Sequence, residues 1–185
     1  MGDLKVNEIK TDAIKNVAGT SSITIDSEGF YVPKVRTLII HKSGHQSVSS
    51  STWTTVTGWN ADFEQGLTWD SSNNRINITA AQAGTYEIHY QLAGYASSNN
   101  MGDIRCTVAL NGTKNFGGYS MLVAGSTGSD PFDLRHFITQ SQGYLTLAEN
   151  DQLSFQAYLV GTGINVFAGD GDGSRSTNVI MRQIG

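Results

Sequence analysis

The stretch that decides the fold is YEIHYQL, residues 86–92, in which apolar and polar side chains alternate one by one. A period of two places Tyr86, Ile88, Tyr90 and Leu92 on one face of an extended strand. The polar residues between them lie on the opposite face. The stretch therefore predicts a β-strand with one face buried in a core.

The same alternation recurs on both sides of this stretch. Upstream, strands are predicted at residues 36–41, 50–57 and 75–79. At the downstream end of the chain, a last strand is expected at 177–184. Two downstream segments each place four apolar residues on one face: Ile104, Cys106, Val108 and Leu110, then Leu153, Phe155, Ala157 and Leu159. No stretch shows a helical period. About ten short strands joined by turns predict an all-β sandwich, most simply a jelly roll.

The composition suits short strands and many turns, since Ser, Thr, Asn and Gly supply 71 of the 185 residues. The twelve Lys and Arg residues and the net charge of −4 give no basic face, so nucleic-acid binding is not expected. The sequence contains no run of 18 apolar residues, so no membrane span is expected. Its first residues are polar and do not resemble a secretory signal. Cys106 is the one cysteine, which excludes an intrachain disulfide and favours a buried, inert thiol.

Residues 1–34 differ from the rest of the chain. Apolar residues such as Ile23 and Ile25 are spaced by polar ones, but large apolar residues are too few for this segment to fold alone. It is expected to pair with the same segment of other subunits or to dock on another protein. Pro33 marks the boundary, because proline cannot continue a ladder. We therefore predict an N-terminal attachment or trimerisation arm at 1–34 and a sandwich domain at 35–185.

No motif indicates catalysis. The sequence has no phosphate loop, no zinc-protease histidine pair and no convincing pair of carboxylates. Two of its four scattered histidines, His89 and His136, lie in predicted strands and are expected on a polar sheet face or a subunit contact. The sequence thus predicts no enzyme, no catalytic residue and no cofactor-binding residue.

One segment, GDGDG at 169–173, has features of a calcium site. Asp170 and Asp172 are spaced as oxygen ligands around glycine, which suits a hard cation. The segment does not match a complete calcium-binding loop, because Met181 stands at the position where that loop requires a bidentate glutamate. An exposed polar turn is the favoured interpretation, and the two aspartates remain the only metal candidates.

Three aromatic residues are candidates for stacking on a ligand such as a sugar: Trp59, Tyr95 and Tyr119. Trp53 and Trp69 are expected in the core, which is the usual place of tryptophan on strands. The longest polar loops, 96–102, 125–130 and 161–173, are expected to cluster at exposed ends of the sandwich and to carry recognition.

Two turns complete the pattern. Asn111-Gly112 is a two-residue hairpin turn that requires positive φ at both positions. A second turn, within LTLAENDQLSF at 145–155, places Asn150 directly before Asp151. Asparagine tolerates the left-handed conformation such a turn needs.

These motifs have a recognisable order. They run QSV at 46–48, TWTTV at 52–56, DF at 62–63, WDSSNNRI at 69–76, AGTYEI at 83–88, VALNGT at 108–113, LTLAENDQLSF at 145–155 and the strand at 177–184. This order resembles the C-one-q globular-head and tumour-necrosis-factor-like jelly roll, in the form common in bacteriophage and bacterial proteins. The family usually has glycine where this chain has Asn150. The resemblance implies a compact homotrimer.

The N-terminal segment is similar, at 6–10 and 22–29, to repeats at the start of phage tail fibres and other phage structural proteins. Together the resemblances imply a non-enzymatic virion protein, a homotrimeric fibre or receptor-binding tip, made in the host cytoplasm. Its arm would contact other virion proteins, and its domain would contact a host surface glycan or protein. The alternatives are a capsid decoration or head-fibre protein anchored by the arm, and a bacterial lectin-like surface module.

Overall fold

The computed structural model describes residues 13–15, 21–25, 31–32, 35–96, 102–121, 136–167 and 176–184. The chain divides into two compact units, Met1–Val35 and Arg36–Gly185. The first unit holds a three-stranded antiparallel sheet of β1 (Ala13–Lys15), β2 (Ser21–Ile25) and β3 (Tyr31–Val32). The attachment or trimerisation role of residues 1–34 stays a prediction.

The described part of the second unit is built almost entirely of strands, with one short 3₁₀ turn at Ala80–Gln82. The strands are β4 (Thr37–Lys42), β5 (Gln46–Val48), β6 (Thr52–Thr55), β7 (Trp59–Gln65), β8 (Trp69–Asp70), β9 (Arg75–Asn77), β10 (Gly84–Ala96), β11 (Asp103–Leu110), β12 (Thr113–Met121), β13 (His136–Leu147), β14 (Gln152–Leu159), β15 (Ile164–Val166) and β16 (Asn178–Gln183).

These strands form two antiparallel sheets. The seven-stranded sheet has the order β5-β15-β10-β16-β4-β7, with β13 paired to the other edge of β10. The six-stranded sheet has the order β12-β11-β14-β9-β8, with β6 paired to β14. Neighbouring strands are far apart in sequence, as when the last strand, β16, lies between β10 and β4. This is the jelly roll predicted from the alternation.

The core lies between the two sheets, and its residues are those that the alternation selected. Strand β10 contributes Tyr86, Ile88, Tyr90 and Leu92, all fully buried. Strand β14 contributes Leu153, Phe155, Ala157 and Leu159, which are also fully buried. Cys106 is buried on β11, as predicted for an inert thiol.

Strand β10 is the axis of the seven-stranded sheet. Its residues pair with β13 along their whole length and with β16 and then β15 on the other side. At Gly94 the strands approach so closely that a Cβ would meet the carbonyl of Asn165 and the ring of Phe137. Glycine is therefore required at this crossing point.

Both predicted turns are confirmed. Asn111 has a φ of 50° and Gly112 a φ of 78°, so both adopt the left-handed conformation. Asn150 has a φ of 71°, which shows that it takes the place of the glycine usual in the resembling family.

Candidate interaction surfaces

The outer face of the seven-stranded sheet, which points away from the core, carries exposed apolar side chains. Phe63, Ile39 and Ile180 lie directly opposite one another on β7, β4 and β16. Phe63 is 46% exposed and Ile180 is 43% exposed. On the far strand, β13, Ile138 is 44% and Tyr144 62% exposed. An apolar band of this kind on a sheet face marks a contact surface.

A polar network lies in the middle of this outer face. Glu87 Oε1 is 3.3 Å from Nε2 of His89 and accepts hydrogen bonds from Gln142 at 3.2 Å and Tyr144 at 3.4 Å. The hydrogen bond with His89 is the largest cause that lowers the pKa of Glu87 below its ordinary value; burial opposes it, and the hydrogen bond with Gln142 adds to the lowering. Glu87 is thus held as a carboxylate that orders three neighbours.

Next to this network is a shallow pocket of about 180 Å³, lined by His89 and several amide side chains. The amide of Gln140 donates to Oε1 of Gln91 at 2.7 Å across β13 and β10. His89 therefore lies on a polar sheet face, as predicted. The pocket offers hydrogen-bonding groups but no nucleophile paired with a base.

A second histidine–carboxylate pair lies nearer the β7 edge of the same outer face. His41 Nδ1 is 2.7 Å from Oδ1 of Asp62, with 37% and 48% of the two side chains exposed. The backbone neighbours of His41 are Asn60 on one side and Asn178 on the other. The face thus combines apolar contact area with groups that can pair across an interface.

Aromatic rings gather at one end of the seven-stranded sheet. Tyr95 lies opposite His136 on β13 and opposite Asn165 on β15. Its ring stacks on Phe167 with centroids 5.1 Å apart, and His45 lies 5.0 Å from the same ring. The strand ends next to the predicted recognition loops meet here. Of those loops, the parts at 97–101, 125–130 and 168–173 lie outside the described residues.

The prediction that Trp59 contacts a ligand is wrong. Trp59 is only 4% exposed, and its indole N–H donates to the carbonyl of Val56 at 2.7 Å. Its ring makes edge contacts with Trp69, Tyr90 and Phe155 in the core. The side chain of Trp59 points between the sheets and is surrounded by these rings, so it has no free face for a sugar.

The expectation for Trp53 is also wrong. Trp53 lies opposite Tyr158, an outward-facing residue of β14, and is only partly buried on the outside of the six-stranded sheet. Trp69 is 7% exposed and belongs to the core, as predicted. The tryptophan with access to solvent is therefore Trp53, which alternation within β6 alone does not reveal.

The remaining candidates stay predictions. Tyr119 lies in β12 opposite Arg105, and its side chain is outside the described residues. Asp170 and Asp172 also lie outside them. Within the described ranges, no group of three or more His, Cys, Asp or Glu could hold a metal ion. Nor does any helix there have the length and apolarity to cross a membrane.

Sequence reasoning did not single out the apolar residues of the outer face, although a signal was present. Val179, Ile180 and Met181 are consecutive, as are Leu38, Ile39 and Ile40. A strand that is apolar on both faces indicates that its second face is covered as well. Both runs lie in strands that are neighbours in the seven-stranded sheet, which brings their outward residues together.

Comparison with known proteins defines the fold class. No family model matches the sequence, and no curated protein matches it. Among solved structures, murine APRIL at pH 5.0 matches with a TM-score of 0.59 and 12% identity, over 82% of this chain and 100% of that chain. Eiger TNF from S. frugiperda matches at 0.58 and 12% identity, over 83% and 94%.

The globular domain of zebrafish complement 1qA matches with a TM-score of 0.51 and 8% identity, over 80% of this chain and 96% of that chain. The domain is therefore a jelly roll of the tumour-necrosis-factor and C-one-q type. That confirms the fold expected from the motif order. At 8 to 14% identity the similarity concerns the fold alone.

Proposed function

We propose that this chain is the subunit of a homotrimeric, non-enzymatic bacteriophage virion protein, a fibre or receptor-binding tip that mediates host attachment. The observation that carries the proposal is the outer face of the seven-stranded sheet. There Phe63, Ile138, Tyr144 and Ile180 are each more than 40% exposed. Covering them with a second copy would remove apolar surface from water.

The fold explains why this face is the one to be covered. One face of each sheet is buried in the core, which leaves the outward faces for contacts. The apolar band on β7, β4 and β16 lies beside the Glu87 network, so an apolar area adjoins groups that can form specific pairs. The resemblance to trimeric jelly rolls favours closure around a threefold axis.

The virion role is supported by the N-terminal segment. Residues 1–35 form a separate compact unit, and the sequence at 6–10 and 22–29 is similar to the start of phage fibre proteins. A capsid decoration protein would use the same arm to dock on the shell. A bacterial lectin-like module is the alternative that needs no virion.

The oligomeric state tests the trimer. We expect a mass three times the monomer's 19.9 kDa by light scattering at micromolar concentration. Ile180→Glu places a charge in the apolar band and should give monomers, while Asn115→Glu, on exposed β12, should leave the trimer intact. A monomer in the unaltered protein would overturn the trimer.

Host attachment needs a separate experiment. The purified protein should bind host cells, and Gly-Ser replacement of residues 125–130 and 170–174 should reduce binding without changing the trimer. Cryo-electron microscopy of particles would distinguish a tail tip from a shell position. Absence of cell binding together with a shell position would favour the decoration protein, and absence from any particle would favour the lectin-like module.

A further inference from the structure

The outer face of the six-stranded sheet carries a row of large side chains across three adjacent strands. Trp53 on β6 lies opposite Tyr158 on β14, and Tyr158 lies opposite Arg105 on β11. The two rings are tilted by 44° with centroids 5.4 Å apart. Residues directly opposite in antiparallel strands share a face, so all three point away from the core.

Two cations lie over these rings. The guanidinium carbon of Arg105 is 5.4 Å from the Tyr158 centroid, and Lys114 Nζ is 5.0 Å from the Trp53 centroid. Both distances are within the range of cation–π attraction. We call Trp53, Tyr158, Arg105 and Lys114 the aromatic–cation patch.

The guanidinium plane of Arg105 is held in place. Asp103 accepts hydrogen bonds from Nε at 2.9 Å and from Nη2 at 2.5 Å. The Arg105 side chain is still 48% exposed. The carboxylate of Asp103 therefore occupies the Nε–Nη2 edge of the guanidinium and offsets its charge, so Lys114 is the cation of the patch that an acidic ligand would pair with.

Lys114 forms no ion pair within the described part of the chain. Among the described residues no carboxylate lies within ion-pair distance of its ammonium. The chain as a whole has a net charge of −4 and only twelve basic residues. Two of these twelve lie over one aromatic pair, so the patch is a local positive site on an acidic protein.

We propose that the aromatic–cation patch binds an acidic saccharide, with the sugar carboxylate held by Lys114 and the sugar ring against the rims of Trp53 and Tyr158. Aromatic surface suits the apolar face of a sugar ring, and the cations select for the acid. A nucleic acid is a poor match, since two cations cannot neutralise a run of phosphates. The inference rests on the proposed attachment function and names its ligand class.

The location agrees with that function. The patch is on the six-stranded sheet, whereas the proposed trimer contact is on the outer face of the seven-stranded sheet. Assembly through the latter would leave three patches open to solvent. A trimer with three weak sites would gain avidity on a surface that displays many copies of the same acidic sugar.

The direct test is titration of the full-length protein with trigalacturonic acid, followed by NMR or calorimetry. The neutral maltotriose and inorganic phosphate are the comparison probes. We expect saturable binding of the acidic sugar alone, weakened by added salt. If maltotriose bound as tightly as trigalacturonic acid, the cations would not select the ligand. If phosphate bound as tightly, the patch would be an anion site and not a saccharide site.

Variants locate the site. Lys114→Met keeps the alkyl chain and removes the charge, and it should weaken binding about tenfold or more. Trp53→Leu should do the same, while Asn115→Met, on exposed β12, introduces a methionine without removing a charge and should change nothing. Melting temperatures would verify that each variant is folded. Unchanged affinity in both patch variants would overturn the proposal.

The two proposals fail differently. If the trimer forms and binds host cells while trigalacturonic acid neither binds nor competes, this inference is wrong and the attachment function stands. If the acidic sugar binds the patch but no host cell is bound, the patch is a saccharide site and the attachment function is wrong.

Discussion

The side-chain amide of Asn111 donates a hydrogen bond to Oδ1 of Asp151 at 2.7 Å and so joins two turns that are 40 residues apart in sequence. The side-chain Oδ1 of Asn111 accepts a hydrogen bond from the backbone N–H of Gln152 at 2.9 Å. Asn111 also has a φ of 50°. One residue therefore shapes the β11–β12 hairpin and ties it to the turn before β14.

These contacts predict the cost of changing Asn111. Asn111→Gly keeps the left-handed backbone and loses both side-chain hydrogen bonds, so it should lower the free energy of unfolding by about 1–3 kcal/mol. Asn111→Ala adds strain at positive φ of about 1 kcal/mol more. Urea unfolding curves would measure both. Equal stability of all three proteins would show that the link between the turns contributes nothing.

Asn150 provides a control for the substitutions at Asn111. It also has a positive φ, at 71°, but its side chain makes no hydrogen bond within the described residues. Asn150→Gly relieves the left-handed conformation and removes no contact, so stability should stay within about 0.5 kcal/mol of the unaltered protein. A loss as large as that of Asn111→Gly would contradict this explanation.

Replacement of Tyr90 by phenylalanine is expected to stabilise the folded protein. Its hydroxyl is buried without a hydrogen-bond partner in the described structure, packed beside Phe155 and Trp59. Tyr90→Phe removes the unsatisfied group and should raise the free energy of unfolding by about 1 kcal/mol at neutral pH. Thermal and urea unfolding would measure the gain. A loss of stability would mean that the hydroxyl has a partner.

Tyr90 should also make the stability of the protein depend on pH in the alkaline range. Burial, with a smaller contribution from Cys106, raises the pKa of Tyr90 well above 10.0. Because the folded pKa exceeds the unfolded one, this contribution to stability is complete below pH 10 and is lost as the pH rises toward the folded value. The unaltered protein should thus lose stability above pH 10 more steeply than Tyr90→Phe.

Glu87 predicts an effect at acid pH. Hydrogen bonds, first with His89 and then with Gln142, lower its pKa below 4.5. Its stabilising contribution is therefore present above 4.5 and is lost as the pH falls through the lower, folded value. Glu87→Gln should flatten the acid limb of a plot of urea midpoint against pH. Glu149→Gln, on an exposed turn, is the charge control and should leave the limb unchanged.

Deletion of residues 1–34 tests the arm. The remaining chain contains the whole core, which begins at Leu38 and lies in the unit Arg36–Gly185. We expect a folded jelly roll that still forms trimers but no longer occupies the particle. Circular dichroism, light scattering and particle composition would measure the three properties. Full occupancy by the truncated protein would show that the arm is not the anchor.

Alternation along the chain determined where the strands lie and which residues enter the core. The buried faces of β10 and β14 follow from sequence because a period of two separates two faces wherever one of them is apolar. The positive φ values of Asn111, Gly112 and Asn150 follow in the same way, because few residue types adopt them. These are local properties, and the sequence contains them.

Only the tertiary structure decided which strands become neighbours and what each outward face carries. Trp59 and Trp53 both lie in strands, yet Trp59 points into the core, whereas Trp53 lies on the outside of its sheet beneath Lys114 from the distant strand β12. Ile39 and Ile180 meet because β4 pairs with β16 across 141 residues of sequence. Such contacts depend on long-range register, which is selected by packing of the whole core and not by local alternation.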